Sequence, residues 1–317
     1  MLTRWLIVLV YLIVLLELLL DDRLLGIRYL HFAYLAFYLT TTALFVYLVI
    51  HQQQKGLWFL PAFLWVSFHY LQPFISSKLA ADKQDTYDVP VSILSFSVNS
   101  RNRQYQQVAH LLKQYPADIV CLQEIPFSRY HLFIEQLQAA KLNYQHIYSK
   151  KKSLMILSPH PITPKKTIPF LQATIDIGNN KIRVWNIHSP KSLTRKHFQR
   201  FYFEKLKQDI ESDKSPLKLL CGDFNSTPHN DILPMFSGIL QRAHLYKTQP
   251  IAFTYPTPEA DHIPSPIPLL KIDYILLNKP FHIDRYARLA QYAHSDHYPV
   301  MAHATIRSAL PTPVNKP

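Results

Sequence analysis

The chain has 317 residues, enough for one large domain with a smaller segment or for two ordinary domains. Apolar residues make up 48% and charged residues only 17%, below the roughly 25% of a typical soluble protein, so the composition indicates a membrane part. The net charge of +13 lies wholly after residue 88. With 5 glycines and 24 prolines, the chain has neither a G-x-x-x-x-G-K nor a G-x-G-x-x-G loop, which excludes nucleotide binding of those two types.

Three apolar stretches open the chain, at about residues 5–20, 29–50 and 57–75. Each approaches the roughly 20 residues that a helix needs to cross a bilayer core. No small-residue cleavage site follows the first stretch, which favours an uncleaved anchor over a signal peptide. The third stretch contains Pro61 and Pro73 and either spans the membrane or lies in its interface. We therefore predict a segment of about three transmembrane helices over residues 1–75, in contact with the lipid bilayer.

The orientation of this segment is weakly encoded. Arg4 before the first stretch and the acidic pair Asp21 and Asp22 behind it favour a cytoplasmic N-terminus. Three crossings would then place the C-terminal domain in the periplasm or another extracytoplasmic space. The count of basic residues beside the later stretches favours the opposite orientation. We expect a multi-pass membrane protein with a periplasmic domain, a polar linker over residues 76–88 and a disordered tail over residues 308–317.

From residue 89 onward, strand patterns alternate with helical ones. Helices are predicted at 103–115, 128–140 and 194–211, the last one basic and amphipathic. Strands are predicted at 91–98, 117–124, 154–157, 173–177, 182–188, 218–221, 271–277 and 298–306. Because strands follow one another both directly and through helices, the pattern predicts a mixed sheet covered by helices, an α/β sandwich over residues 89–307.

Two cysteines, Cys121 and Cys221, lie in short apolar runs typical of buried strands. Two cysteines cannot form a disulfide framework, and we expect both to be reduced thiols in the core.

Polar residues stand where the predicted strands end, the place at which α/β scaffolds carry their sites. Five short motifs have this property: Gln-Glu ending at Glu124, Asn-Ile-His ending at His188, Gly-Asp-Phe-Asn with Asp223 and Asn225, Ile-Asp-Tyr with Asp273, and Ser-Asp-His with Asp296 and His297. Asp223 and Asn225 are two residues apart on an extended segment and therefore share one face. Any one motif is weak by itself.

Together and in this order, the five motifs resemble those of the endonuclease/exonuclease/phosphatase superfamily over about residues 91–306. The apolar N-terminal stretches are similar to those of a bacterial membrane-attached subgroup. The resemblance implies the four-layer α/β sandwich of deoxyribonuclease I-like proteins and a divalent-metal-dependent hydrolase that cleaves a phosphodiester or phosphomonoester.

The resemblance also implies a role for each motif residue. Glu124 would hold Mg²⁺, with Mn²⁺ as the other candidate, and Asp296 would complete the metal region. Asp223 would orient or deprotonate the attacking water, and Asn225 would donate to the phosphate or position that water. His297 would contact the scissile phosphate in a tautomer fixed by Asp273, and His188 would serve the leaving group.

One position departs from the family pattern. The asparagine that usually ends the first strand is replaced by Ser97. Asn99, two residues on and on the same face, and Asn102 in the following loop are the candidates for its metal-binding role; the alternative is that the metal is held less tightly. The departure motivates an alternative, a catalytically impaired module that binds a phosphorylated partner or scaffolds membrane proteins.

The substrate class stays open at the level of sequence. The basic domain and the context of His188 favour nucleic acid, whereas the membrane anchor favours a phospholipid or inositol phosphate headgroup. A transport role for the helices is disfavoured, because Glu17 is their one carboxylate. The oligomeric state is not encoded.

Overall fold

The computed structural model describes residues 2–20, 25–71, 89–166, 168–245, 252–261 and 264–306. Within these ranges the helices are α1 (Leu2–Leu20), α2 (Leu25–Phe32), α3 (Tyr34–His51), α4 (Gln53–Leu71), α5 (Tyr105–Gln114), α6 (Tyr130–Ala139) and α7 (Ser192–Ser212). Short 3₁₀ turns occur at Phe127–Arg129, Leu233–Phe236 and Ala243–Leu245.

The strands form two sheets. They are β1 (Val89–Ser97), β2 (Ile119–Gln123), β3 (Gln145–Ser149), β4 (Leu154–Ser158), β5 (Ile162–Lys166), β6 (Leu171–Ile177), β7 (Asn180–His188), β8 (Leu217–Asp223), β9 (Gln241–Arg242), β10 (Asp273–Leu277), β11 (Phe281–Arg288) and β12 (Val300–Ile306). The first sheet has the order β11-β12-β1-β2-β4-β3 and the second the order β5-β6-β7-β8-β10-β9. Each sheet holds one parallel pair, β1 with β2 and β7 with β8, and helices α5 and α7 make the crossovers that parallel strands require.

The central strands are apolar on both faces, which explains their continuous apolar runs. One face of each sheet packs against the other sheet, as Ile93 of β1 and Val184 of β7 do. The opposite faces pack against helices: Phe96 lies in the cluster that includes residues of α5 and α6, and Trp185 lies in the cluster that includes residues of α7. The arrangement is a helix-sheet-sheet-helix sandwich, and the predicted mixed α/β sandwich is confirmed.

The strands absent from the sequence prediction are β3, β5, β9 and β11, and they are the four edge strands of the two sheets. Edge strands are half solvated, so they need no continuous apolar run and can carry charged residues or proline. Their sequences, such as Ile-Thr-Pro-Lys-Lys in β5, therefore lack the pattern by which the central strands are found.

Helices α1–α4 occupy the region predicted to cross the membrane. The second apolar stretch is divided at Ala33 into α2 and α3, and the third begins earlier than predicted, at Gln53. In the described part of the chain, α3 is the one helix whose length and apolar composition suffice for a membrane span. The prediction of about three spans is not confirmed, and residues 72–75, the linker at 76–88 and the tail at 308–317 lie outside the described residues.

Cys121 and Cys221 form a disulfide, so the expectation of two reduced thiols is wrong. Both side chains belong to the core between the sheets, where β2 and β8 face each other. Their Cα atoms are 6.5 Å apart, within the distance that a disulfide bridges. This pairing could not be predicted from the sequence, because the two cysteines are 100 residues apart and their proximity depends on the stacking of the sheets.

Candidate active site

Strand direction gathers the predicted polar residues at one end of the sandwich. Glu124 and Asp223 stand at the C-terminal ends of β2 and β8, strands that run parallel to their neighbours β1 and β7. Asp273 begins β10, which runs antiparallel to β8, and His297 precedes β12, which runs antiparallel to β1. The N-terminal ends of β10 and β12 therefore lie at the same end of the sandwich as the C-terminal ends of β2 and β8. Asp223 is thus the ladder partner of His188 on one side and of Asp273 on the other.

A buried histidine-aspartate pair forms the floor of the site. The Nδ1 atom of His297 lies 2.9 Å from Oδ2 of Asp273, and the ring of Tyr255 lies 5.0 Å from the imidazole. Burial alone lowers the pKa of an imidazole, but the charge and hydrogen bond of Asp273 outweigh it and raise the pKa of His297 to about 10. His297 is therefore an imidazolium at neutral pH, with Nδ1–H donated to Asp273 and Nε2–H 3.9 Å from Oδ2 of Asp223.

Asp223 and Asn225 are held together by a tight turn. The backbone N–H of Asn225 donates to Oδ1 of Asp223 at 2.8 Å, and its side-chain Nδ2 lies 3.2 Å from Oδ2. The turn begins at Gly222, whose φ is +141° and where a Cβ atom would stand 2.0 Å from the carbonyl oxygen of Ile187. Only glycine fits this position. Burial, followed by the charge of Asp273, raises the pKa of Asp223 to about 6.

His188 connects the two halves of the site. Its Nε2 atom lies 3.6 Å from Oδ2 of Asp223 and 3.5 Å from Oε1 of Glu124. Because β7 belongs to the second sheet and β2 to the first, this imidazole stands across the opening between the sheets. It is partly exposed, so one side of the ring faces the mouth of the site.

Glu124 and Asp296 are two partly exposed carboxylates at the mouth. Burial raises the pKa of Glu124, but the charge of His188 and a hydrogen bond of 2.8 Å from the backbone N–H of Ser100 keep it below its usual value. Burial raises the pKa of Asp296, and the negative charge of Glu124 adds to the increase. The two carboxylates therefore repel each other, and a bound cation would relieve this repulsion.

The donor set at the mouth fits a hard divalent cation. Carboxylate oxygens with room for several waters are what Mg²⁺ prefers, and Glu124 and Asp296 provide them. A second group, Asp223, Asp273 and His297, also brings ligand atoms within 4.8 Å of one another. Its histidine is protonated and donates to Asp273, so this buried group is better suited to hydrogen bonding than to holding a cation.

Asn99, the third predicted metal ligand, has a local partner in this structure. Its φ of 70° places it in the left-handed region, and its Oδ1 accepts a hydrogen bond of 2.9 Å from the backbone N–H of Arg101. The resulting turn presents the N–H of Ser100 to Glu124. Asn99 thus shapes the loop that orients Glu124. Ser97 is buried, and its hydroxyl has no hydrogen-bond partner among the described residues.

Gln123 and Asn186 support the site but received no role in the sequence prediction. Gln123, just before Glu124, donates from Nε2 to Oδ1 of Asn186 at 2.7 Å, and Asn186 in turn donates to the carbonyl of Leu122. This buried pair joins β2 to β7 across the sandwich, directly below the mouth. Both residues belong to the quoted motifs, but nothing in the sequence separates a side chain that braces the sheets from one that faces the substrate.

Gln199 on α7 also supports the site, although it lies outside the five motifs. Its Nε2 lies within hydrogen-bond distance of the carbonyl of Phe224, at 3.1 Å, and of the hydroxyl of Ser226, at 3.0 Å. These two residues flank Asn225, so α7 holds the turn at Asp223–Asn225 from outside. A glutamine in a basic amphipathic helix carries no pattern that predicts such a contact.

A two-sheet α/β sandwich with carboxylates, a paired histidine and an Asp-x-Asn turn at one end is the architecture of a phosphoesterase fold. The chain belongs to the Endonuclease/Exonuclease/phosphatase family, whose model matches residues 93–297. Members of this family are in general phosphoesterase hydrolases that use divalent metal ions. The resemblance inferred from the five motifs is thereby confirmed.

Solved structures of the family share this fold at low sequence identity. A family protein from Bacteroides thetaiotaomicron is 14% identical with a TM-score of 0.57, and covers 70% of this chain and 99% of its own. TDP2 from D. rerio, in complex with a single-stranded DNA product, is 16% identical with a TM-score of 0.55, and covers 69% and 99%. A family protein from Leptotrichia buccalis is 14% identical with a TM-score of 0.54, and covers 67% and 98%. No curated protein matches the chain significantly in sequence.

Proposed function

We propose that the chain is a membrane-attached, divalent-metal-dependent phosphoesterase that hydrolyses a phosphodiester or phosphomonoester. One observation carries the proposal: two mutually repelling, partly exposed carboxylates, Glu124 and Asp296, stand beside the buried group of Asp223, Asp273 and His297. The first pair suits a cation, and the second suits proton transfer and hydrogen bonding to a phosphate.

In this mechanism each residue of the site has one task. Mg²⁺ or Mn²⁺, held by Glu124 and Asp296, would neutralise charge on the phosphoryl oxygens. Asp223 accepts a proton from the attacking water, and the imidazolium of His297 donates from Nε2 to a phosphoryl oxygen as negative charge develops there. Asp273 keeps Nδ1 of His297 protonated and the ring oriented.

The leaving group is served from the opposite side. His188 is partly exposed beside Glu124 and Asp223, where it can hold a proton for the departing oxygen. Asn225 fixes the Asp223 carboxylate through its backbone and side-chain N–H groups. Ser97 motivates a second candidate, a phosphate-binding module without turnover, because it stands where the family carries an asparagine and its hydroxyl has no hydrogen-bond partner within the described part of the chain.

Attachment to a bilayer through α1–α4 is part of the proposal. These helices present large apolar side chains outward, among them Trp5, Leu9, Leu15, Ile50 and Trp58. Water disfavours so extensive an apolar surface, and lipid favours it. The disulfide supports a periplasmic or other extracytoplasmic position for the domain, since such compartments allow disulfides to persist.

A substrate panel tests the proposal. The full chain, purified in detergent, is assayed with plasmid DNA, a nitrophenyl phosphodiester and vesicles that contain a phosphoinositide or sphingomyelin, each in Mg²⁺, in Mn²⁺ and in EDTA. The variant His297→Ala is compared with His303→Ala, which removes an exposed histidine of β12. We expect metal-dependent turnover that only His297→Ala abolishes, and the substrate that responds identifies the class. A folded protein without turnover on any of them would favour the phosphate-binding module.

A further inference from the structure

Helix α7 has two faces of different character. Gln199, Phe203, Leu206 and Ile210 are buried, the apolar three of them in the core of the second sheet. On the other face, Phe198 is 69% exposed and Phe201 is 56% exposed. Residues three apart on a helix are neighbours, so the two rings form one apolar patch. Nothing in the catalytic mechanism uses it.

Basic residues precede and follow this patch in the chain. Lys205 follows Phe201 by four residues, and its Nζ lies 4.3 Å from the centre of the Phe201 ring. Arg195 precedes Phe198 by three residues and is exposed, at a kink where its φ of −140° and ψ of 44° depart from helical values. The acidic neighbour Glu204 is paired with Arg200 at 3.1 Å. We call Arg195, Phe198, Phe201 and Lys205 the α7 stripe. Aromatic rings between basic residues are typical of helices that lie in the interface of an anionic membrane.

The α7 stripe lies beside the N-terminal helices. Helix α2 packs against α7. The side chain of Thr227, in the loop after the turn at Asp223–Asn225, donates to the carbonyl of His31 in α2 at 3.2 Å. The outward apolar surface of α1–α4 and the stripe therefore belong to neighbouring elements on one side of the molecule.

We propose that the α7 stripe inserts into the headgroup region of the bilayer, where its two phenylalanines meet the acyl boundary and its two basic residues meet anionic phospholipid. The inference rests on the proposed membrane attachment and adds the surface by which the catalytic domain itself touches the membrane. Charge complementarity selects an anionic lipid surface, and proximity to α2 selects the bilayer that holds the N-terminal helices.

The inserted stripe would place the active site at the membrane surface. Gln199 is next to Phe198 in sequence but faces inward, where it holds the carbonyl of Phe224 in the turn at Asp223–Asn225. The helix that touches lipid on one face thus supports Asp223 and Asn225 on the other. A site in this position is suited to a phosphate ester carried by a lipid headgroup.

Spin labels on the full chain test the proposal. The native cysteines are paired in a buried disulfide, so the variants Phe198→Cys and Phe201→Cys can be labelled selectively. The control is Leu132→Cys, at an exposed position of α6 that is 44% exposed. Each protein is reconstituted into vesicles with phosphatidylglycerol. Collision of the label with oxygen, which concentrates in lipid, is compared with collision with a water-soluble nickel chelate.

We expect the oxygen-to-nickel ratio at positions 198 and 201 to exceed that at position 132 several-fold, and to fall towards it in the background Arg195→Glu with Lys205→Glu. Equal ratios at all three positions would overturn the proposal. So would a label at 198 that is shielded from both reagents, which would indicate a protein partner. Flotation of the vesicles with the bound protein tests membrane attachment separately, and the substrate panel tests hydrolysis, so failure of the stripe is distinguishable from failure of either.

Discussion

The imidazolium of His297 is the residue on which the proposed chemistry depends most. It is buried, yet Asp273 keeps it charged through a hydrogen bond of 2.9 Å. A buried charge is tolerated only with such a partner. The pair therefore stores a proton donor at the place where a phosphoryl oxygen gains negative charge, and removal of either member should affect turnover more than substrate affinity.

Asp273→Asn tests the orienting role. The amide keeps the size of the carboxylate but removes the charge that raises the pKa of His297, so the ring loses both its fixed tautomer and its proton. We expect kcat to fall on the order of 10²–10⁴-fold. The control is Asp284→Asn, an exposed carboxylate of β11, which should leave kcat within about twofold of the wild-type value. Equal effects of the two substitutions would contradict the assigned role.

The pH dependence of the rate follows from Asp223 and His297. Asp223 must be a carboxylate to accept a proton, and its pKa is raised to about 6; His297 must be protonated to donate, and its pKa is raised to about 10. The rate should therefore rise as pH increases through about 6 and fall as pH increases through about 10. A nitrophenyl phosphodiester has no ionisation of its own in this range and is the suitable substrate. A rate that is already maximal at pH 4 would exclude Asp223 as the base.

At the level of elements, the turn at Asp223–Asn225 is held by its strand neighbours and, from outside the sheet, by helix α7. Gln199 of α7 binds its backbone, and the following loop reaches the N-terminal helices, where the ring of His229 stacks on Tyr34 at 4.5 Å and on Tyr70 at 5.7 Å. Through these contacts α2, α3 and α4 support the catalytic domain.

Gln199→Ala tests this support. The substitution leaves the carbonyl of Phe224 and the hydroxyl of Ser226 without the amide and frees the turn to shift. We expect kcat to fall roughly ten- to a hundredfold with little change in KM, because the turn positions the base and does not hold the substrate tightly. Gln208→Ala, at an exposed position of the same helix, is the matched control. The conservative variant Gln199→Asn should recover part of the lost kcat. A global folding defect would instead lower the activity and the thermal stability together.

The disulfide between Cys121 and Cys221 also connects two elements of the site, β2 and β8. Cys121 lies three residues before Glu124, and Cys221 lies two residues before Asp223, so the bond ties together the two strands that carry these carboxylates of the proposed active site. A crosslink that closes a loop of 100 residues contributes about 4–5 kcal/mol to stability in the chain-entropy model. We expect Cys121→Ala with Cys221→Ala to lower the free energy of unfolding by about 2–5 kcal/mol. Denaturant titration measures it, and an unchanged midpoint would show that the bond does not form in solution.

For the whole molecule, the sequence predicted those parts whose physics is local or encoded in motifs. The central strands could be predicted because they are buried on both faces and therefore have continuous apolar runs. Glu124, Asp223 and His297 could be predicted because they stand at the ends of these strands. The edge strands, such as β5, and the disulfide could not be predicted, because solvated edges lack a pattern and the cysteines meet only when the sheets stack. The supporting role of Gln199 could not be predicted for a similar reason, since it arises from the packing of α7 against the turn at Asp223–Asn225.

Metal-dependent hydrolysis at this site is best tested by the rate on a nitrophenyl phosphodiester. The rate is measured in Mg²⁺ and in EDTA for the wild-type chain, for Glu124→Gln and for the exposed control Glu135→Gln. We expect EDTA and Glu124→Gln each to lower the rate at least about a hundredfold, Mg²⁺ to restore the EDTA-treated wild type, and Glu135→Gln to behave as wild type. Hydrolysis that persists in EDTA, or a Glu124→Gln variant as active as its control, would contradict metal-dependent hydrolysis at this site.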